Sequence, residues 1–366
     1  MVDINDLLYD KLGTLGFDGA LPDRAYDHLA SLGYTGALND RLSLAGGLRT
    51  YVEGLLGAVQ WMQTPPTLVN PLVVSDYDLY GTGDATRVIN GGDGDVLLLA
   101  HSPAGGPAQT LFNTKISVYN FRRLHVYGLD LEVTDPLLTT RVLQIKTSSD
   151  RTTTEEVFIE GLSMEHNFIA DNCDAIVVLN LGIDAGPVSR FVLQSSRITG
   201  VGVPTNSDGP NVHPDIMQFQ GNTRIDNVYI ENFTGTTMYQ GLFLPWNQNT
   251  SSSAFAPEYA LRNVNISSED SFTHRLFTTQ DEGYTAAEYP ITSFDNVYLS
   301  QGQTHSFGVG PSEIHVDPLL YDDSPFEFVA AARITGLPTT GRAPSDFASR
   351  ARVGINYVSP HGLPVY

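Results

Sequence analysis

Two groups of residues in the sequence could carry chemistry, and the first is a turn rich in acids and imidazole. Asp208, His213 and Asp215 lie within eight consecutive positions. A pair of carboxylates can serve as acid and base in glycoside hydrolysis, and a histidine beside a carboxylate can abstract a proton in a lyase. If the protein is an enzyme, we therefore predict these three residues as its catalytic group. Asx turns around a packed loop histidine are the alternative.

The second group is a row of polar side chains near the ends of short apolar strand patterns. Its members are Lys146, Asn180, Gln218, Gln220, Trp246 and Gln280. Amides exchange hydrogen bonds with sugar hydroxyls, and an indole offers a flat face on which a sugar ring can stack. We predict that this row binds carbohydrate. The alternative is a solvated face without a ligand.

A repeat of 33 to 37 residues is the element that would bring these side chains together. Strand patterns with apolar residues at alternate positions begin at Leu124, Val157, Phe191, Val228, Val264 and Val297. A second strand in each period predicts an apolar column of Leu143, Val177, Met217, Phe243 and Phe277. Because side chains alternate across a strand, the same alignment places Lys146, Asn180, Gln220, Trp246 and Gln280 in one outward column.

A unit of this length cannot bury its apolar face alone, but stacked copies can. The predicted fold is all-β: a right-handed parallel β-helix with a small α-helical N-terminal segment and a C-terminal cap. A β-propeller is the alternative, although its blades need four antiparallel strands each. The predicted organisation is a helical repeat segment for attachment or capping (1–60), the β-helix (61–304) and a C-terminal cap or oligomerisation segment (305–366).

The N-terminal segment contains a shorter repeat. The pattern L-x-x-L-G-aromatic-x-G-A-L-x-D-R begins at Leu12 and returns 17 residues later at Leu29. Each copy is typical of a short helix that ends at a glycine, where a positive φ costs little. Two such units bury too little apolar surface to be stable alone, so we expect them to pack on something else.

Composition excludes several classes of protein. The 366 residues carry 20 basic and 41 acidic side chains, a net charge of −21, which repels nucleic acid and anionic membranes. Cys173 is the only cysteine, so neither an intramolecular disulfide nor a cysteine-based zinc site can form. The sequence shows no signal peptide and no apolar run long enough for membrane insertion. We predict no metal and no cofactor.

The stretch 213–219 (HPDIMQF) resembles right-handed β-helix proteins of phage tailspikes and polysaccharide-degrading enzymes, many of which carry a similar His-x-Asp-x-x-Gln stretch. The N-terminal repeat resembles short repeats in structural proteins of tailed bacteriophages. The resemblance implies a homotrimeric, virion-associated spike or fibre whose N-terminal segment attaches to other virion structural proteins and whose β-helix meets a host-surface glycan. The sequence departs from the pectin-degrading hydrolases, since it lacks their Asn-Thr-Asp and Gly-His-Gly motifs.

The function expected from these features is receptor binding: a virion protein, located on the extracellular particle, that binds host-surface polysaccharide. A polysaccharide lyase or glycoside hydrolase on the same β-helix is the first alternative. A structural or decoration protein of the particle is the second.

Overall fold

The computed structural model divides the chain into two compact units, Met1–Met62 and Gln63–Tyr366. The residues that the structure describes are 12, 25, 27, 29–30, 62–80, 86–101, 106–137, 141–147, 154–169, 172–181, 188–203, 214–221, 223–244, 258–268, 275–278, 291–300, 307–308, 315–316, 334–335, 339–340, 353–357, 359–361 and 363–364. In the first unit, Leu12 and Leu29 occupy the same position of the two repeat copies, and both are helical and fully buried. Most of the repeat lies outside the described residues.

Most of the described residues of the second unit lie in strands. The strands are β1 (Leu72–Ser75), β2 (Thr86–Asn90), β3 (Asp95–Leu99), β4 (Thr110–Phe112), β5 (Lys115–Tyr119), β6 (Arg123–Tyr127), β7 (Asp130–Glu132), β8 (Leu143–Lys146), β9 (Glu156–Glu160), β10 (Ser163–Glu165), β11 (Ile176–Leu179), β12 (Val188–Val201), β13 (Asp215–Gln220), β14 (Ile225–Thr237), β15 (Gln240–Phe243), β16 (Glu258–Ser268), β17 (Arg275–Thr278), β18 (Ile291–Ser300), β19 (Phe307–Gly308), β20 (His315–Val316), β21 (Ile334–Thr335) and β22 (Thr339–Thr340). One helical turn, α1 (Asp76–Leu79), follows β1, and a 3₁₀ turn spans Gly354–Asn356. Ser75 caps α1 through a reciprocal hydrogen-bond pair with Asp78, which satisfies donors that the first helical turn leaves unpaired.

Two large sheets carry the fold. Sheet A follows the order β1-β3-β6-β9-β12-β14-β16-β18-β21, with β4, β7, β10 and β22 as further members, and sheet B follows β17-β15-β13-β11-β8-β5-β2. Every pairing of described strands within the two sheets is parallel, and the chain alternates between the sheets along the repeat. The fold is therefore mainly β with parallel sheets. The antiparallel blades of a propeller do not fit this pairing.

The core lies on the inward faces of these sheets. In sheet A, one register position holds Leu98, Val126, Ile159, Leu193, Ile230, Leu261 and Phe294. In sheet B, the equivalent position holds Ile116, Leu143, Ile176, Met217, Leu242 and Phe277. All thirteen side chains are buried in one hydrophobic cluster. Each coil thus completes its apolar surface against its neighbours, which removes that surface from water.

The predicted alignment of the first strands is right over the first three intervals and the fifth, in which Val264 pairs with Val297, and wrong over the fourth. The register pairs Leu124 with Val157, Val157 with Phe191 and Phe191 with Val228. Val228 then pairs with Tyr259, and Val264 pairs with Phe233 in the second half of β14. The misalignment arose because β14 and β16 each run through a corner, so each presents two apolar patterns instead of one.

The predicted alignment of the second strands is right for Leu143, Met217 and Phe277, which share one inward position, and off by one residue at Val177 and Phe243. Leu143 pairs with Ile176, and Val177 pairs with Gln144 on the outward side. In the same way Met217 pairs with Leu242, and Phe243 pairs with Gln218. Strand β11 is apolar at successive positions, so the sequence alone does not decide which of its residues face inward.

One corner between strand segments is built from residues in the left-handed backbone region. The corner residues of successive coils are Gly128, Gly161, Ser195, Asn232, Asn263 and Asn296. Asn tolerates this conformation better than other side chains, and here its amide is also used. Asn263 Nδ2 donates to Asn232 Oδ1 at 3.1 Å, and Asn296 Nδ2 donates to Asn263 Oδ1 at 2.7 Å. This asparagine ladder joins three coils.

Candidate functional site

Three members of the predicted carbohydrate row, Lys146, Gln218 and Gln220, lie on the outward face of sheet B. The register sets Lys146 and Gln220 on either side of Leu179. Asn180 was predicted to share their position, but it is the next residue along, at a corner with φ of 56°. It therefore stands outside the column, because the alignment of β11 was off by one. Trp246 and Gln280 lie outside the described residues.

A second outward position lies two residues earlier on the same strands. Gln144 and Gln218 flank Val177 there, and Ser117 Oγ donates to Gln144 Oε1 at 3.3 Å. Val177 itself is fully buried. The two glutamines are partly exposed. Stacked parallel strands hold these amides at a spacing of about 4.8 Å per strand.

Arg141, which the sequence analysis did not single out, crosses this surface. Its Nη2 donates to Gln220 Oε1 at 2.7 Å, and Gln220 Nε2 in turn donates to Gln218 Oε1. Arg141 belongs to the coil of β8 and Gln220 to β13, so the guanidinium spans the intervening strand β11. Its Nε lies 4.0 Å from Asp174 Oδ2. The sequence gives no direct signal for this contact, because it joins residues 79 positions apart.

This arrangement can bind a polar ligand without first having to be ordered. The side chains sit on strands, and the Arg141–Gln220–Gln218 chain fixes two amides relative to a cation. Immobilising long side chains on binding costs about 0.5–1.5 kcal/mol each, a cost that such prior hydrogen bonding reduces. Amide and guanidinium groups together offer donors and acceptors of the kind that sugar hydroxyls match.

Asp215, the one predicted catalytic residue that the structure describes, is fully buried at the first position of β13. Its backbone N–H donates to Asp174 Oδ1 at 3.1 Å. Neither side-chain oxygen of Asp215 has a hydrogen-bond partner among the described residues. Burial, and then the negative charge of Asp174, raises the pKa of Asp215 well above its ordinary value. Asp208 and His213 lie outside the described residues.

Tyr239 and His166 are further buried groups of the coils on either side. Burial and the nearby charge of Asp215 raise the pKa of Tyr239. His166 is completely buried, and neither ring nitrogen meets a hydrogen-bond partner within the described part of the chain. Burial lowers its pKa to about 4, so it is neutral at pH 7. A neutral imidazole and a protonated carboxyl are the forms that a dry interior favours.

The outward face of sheet A carries a buried polar cluster that the sequence analysis missed. At its centre Glu160 Oε1 lies 2.9 Å from His125 Nε2. Its other oxygen accepts from Tyr357 Oη at 2.7 Å, Ser359 Oγ at 3.0 Å and Gln194 Nε2 at 3.4 Å. Burial alone would raise the pKa of Glu160. The contacts with His125 and with the two hydroxyls lower this pKa by a larger amount, so its net shift is downward. The carboxylate is thus ionised and fixes the C-terminal segment to sheet A.

A second segment, residues 63–69, crosses the same face. Gln63 exchanges two hydrogen bonds with Gln194, from its N–H to Oε1 at 2.9 Å and from Nε2 of Gln194 to its carbonyl at 3.2 Å. Further along, the N–H of Val69 donates to Asp95 Oδ2 at 2.7 Å. This segment therefore runs across the strands from β12 to β3. Residues 63–69, 354–357 and 359–361 together contact part of the outer side of sheet A.

No protein-family model, curated protein or solved structure matches the chain. The described residues contain no helix with the length and apolar character needed to cross a membrane. Within the same residues, no group of three or more His, Cys, Asp or Glu side chains is arranged to hold a metal ion.

Proposed function

We propose that the coils of the second unit wind as a right-handed parallel β-helix. Two features support this proposal: parallel pairing throughout sheets A and B, and a chain that alternates between them at intervals of one repeat. Crossover connections between parallel strands are right-handed in almost all proteins. An experimentally determined structure in which successive coils turned in the left-handed sense would overturn this part of the proposal.

On this scaffold, we propose that the protein is a virion-associated spike or fibre that binds a host-surface polysaccharide. The observation that carries the proposal is the outward row of sheet B, where Arg141, Gln218 and Gln220 form one hydrogen-bonded chain that reaches across the intervening strand β11. The resemblance of the sequence to tailspikes agrees with it. A rigid, repetitive row of amides suits a repetitive ligand, because each sugar unit can meet an equivalent set of groups.

The experiment is an array of bacterial capsular and lipopolysaccharide glycans probed with the full-length protein. Binding should fall at least about tenfold in Gln218→Ala/Gln220→Ala, since two hydrogen bonds at about 1 kcal/mol each are removed. Asn227→Ala is the matched control, because Asn227 is a partly exposed amide on sheet A. Trp246→Ala tests the predicted stacking residue. An array without binding by the wild-type protein would overturn the proposed function.

We propose that the N-terminal segment attaches the protein to other virion structural proteins and that the β-helix forms a homotrimer. The 17-residue repeat supports the first part through its resemblance to phage structural proteins. Copurification with assembled particles that disappears after deletion of residues 1–60 is the expected result. Light scattering should give a mass three times that of the 39.8-kDa chain. Particles without the protein, or a monomeric mass, would contradict the corresponding part.

Cleavage of the polysaccharide is the second candidate function, and the raised pKa of Asp215 is the observation in its favour. A carboxyl whose pKa is raised by burial and by a neighbouring aspartate resembles the acid of an acid–base pair. Full burial of Asp215 counts against it, since a catalytic acid must reach the substrate. If the protein is an enzyme, Asp215→Asn and His213→Ala abolish release of reducing ends from a bound glycan. Unchanged release removes both residues from the mechanism.

A further inference from the structure

Three cations lie on the outward side of two neighbouring coils of sheet B, in a protein with a net charge of −21. They are Lys115 in β5, and Arg141 and Lys146 in the coil of β8, and we call them the basic patch. The whole chain has only three lysines, and two of them belong to this patch. Strands β5 and β8 are direct neighbours, with Tyr119 paired to Lys146. The patch therefore occupies two adjacent coils.

The described residues at the centre of this face of sheet B include no acidic side chain. The eight outward residues at the two central register positions of β5, β8, β11 and β13 are Ser117, Tyr119, Gln144, Lys146, Val177, Leu179, Gln218 and Gln220. None of them is acidic. Lys146 has no ion pair with any described carboxylate. Arg141 meets Asp174 only at 4.0 Å, and its side chain is 37% exposed.

The hydrogen bond from Arg141 to Gln220 sets the guanidinium above the sheet. That bond uses one of the five N–H donors that a guanidinium carries in a planar fork. The fork matches the two oxygens of a carboxylate. Beside it, Gln144 and Gln218 provide groups for hydroxyls. A ligand that matches these groups would carry a carboxylate and several hydroxyls, and an acidic sugar has both.

We infer that the polysaccharide bound by sheet B is acidic, with sugar carboxylates held by the basic patch and hydroxyls held by the glutamines. This inference rests on the proposed function and adds the chemical class of the ligand. The net charge of −21 repels a polyanion at long range. At physiological salt that repulsion is screened beyond about 8 Å, so contacts within the patch decide the binding.

The test is the same glycan array with every uronic-acid and sialic-acid polysaccharide printed in two forms, native and carboxyl-reduced. The reduced form keeps the backbone and replaces each carboxylate by a neutral hydroxymethyl group. The inference expects binding to a native glycan and at least about a tenfold loss on its reduced form, which corresponds to one charge-assisted hydrogen bond of about 1.5 kcal/mol or more. Arg141→Met and Lys146→Met should each weaken binding to the native form by a larger factor than binding to the reduced form, because only the native form carries the carboxylate.

Arg197→Met is the matched control, because Arg197 is an exposed cation on another face of the same unit. Its binding should equal that of the wild type, and melting temperatures confirm that all variants are folded. Binding to neutral glycans alone, or equal binding to native and reduced forms, overturns the inference and leaves the proposed function intact. Absence of binding to every glycan overturns both.

Discussion

Replacement of Glu160 by glutamine tests whether the C-terminal segment is fixed by one buried carboxylate. Glu160 is fully buried and ionised, and it accepts hydrogen bonds from Tyr357, Ser359 and Gln194 beside its contact with His125. Glutamine keeps the volume but turns one acceptor into a donor and removes the charge. Loss of one partner from a buried charged pair costs about 3–5 kcal/mol. Because one carbonyl acceptor remains, we expect about 3 kcal/mol.

Thermal and urea unfolding measure this loss. In a unit of this size, about 2 °C per kcal/mol is expected, so the melting temperature should fall by about 6 °C. Glu155→Gln is the matched control, since Glu155 accepts from Arg123 at 2.8 Å but its side chain is 41% exposed. A surface pair of that kind is worth about 1 kcal/mol or less. Hydrogen exchange should also rise in residues 353–361 of Glu160→Gln and stay unchanged in the control.

The stability difference between wild type and Glu160→Gln should also depend on pH in a definite direction. The pKa of Glu160 is lower in the folded protein than the ordinary value of 4.5. Its contribution to stability is therefore complete above pH 4.5 and is lost as the pH falls through the folded pKa. The difference between wild type and Glu160→Gln must shrink in acid. A loss no larger than that of Glu155→Gln, or a difference that stays constant below pH 4.5, would refute the reasoning.

Four further substitutions test other buried groups. Asp215→Asn should raise the free energy of unfolding at pH values above 3.8, because a raised pKa means that ionisation opposes folding as the pH rises. Urea titrations check this prediction, with the exposed Asp295→Asn as the control. A lower free energy of unfolding at neutral pH would contradict it. Because His166 is neutral in the folded protein, the free energy of unfolding should fall as the pH falls from 6.5 toward 4, by about 2 kcal/mol at about pH 5. His166→Phe should abolish that part of the pH profile. Asn263 has φ of 51°, so Asn263→Ala should cost about 1–2 kcal/mol more than Asn263→Gly; equal melting temperatures would argue against the left-handed corner. A Cβ at Gly161 would lie 2.2 Å from a ring carbon of Tyr357, so Gly161→Ala should speed hydrogen exchange in residues 353–361, and unchanged exchange would show that this contact is not made.

The sequence predicted the parallel, repetitive architecture because the period of the apolar pattern survives in the chain. Leu124, Val157 and Phe191 are one coil apart in both the pattern and the register. Alignment failed where this signal is ambiguous. Strand β11 is apolar on both sides, and the long strands β14 and β16 contain two patterns joined at Asn232 and Asn263. A corner that depends on one left-handed residue leaves little trace in a hydrophobic pattern.

The candidate site was predicted only in outline. Strand alternation predicts the outward placement of the glutamines and Lys146 on sheet B. The placement of Arg141 depends on a side chain that reaches past a whole strand, which alternation does not predict. Burial of Asp215 was equally hidden, because a polar turn in the sequence suggests exposure. Glu160 and His125 lie 35 positions apart, about one repeat, and this spacing was a signal that could have identified the pair.

The two sheets differ in what covers them, and this difference supports the choice of sheet B as the ligand surface. On sheet A, Gln194 and Glu160 are satisfied by the chain itself, through Gln63 and through Tyr357. A ligand would have to displace these hydrogen bonds and expose a buried carboxylate, at a cost of several kcal/mol. On sheet B, Gln144, Gln218 and Gln220 are partly exposed, and each is already hydrogen-bonded to a neighbouring side chain of the same face. Binding there adds contacts without breaking the fold, which is the condition that a rigid receptor-binding surface must meet.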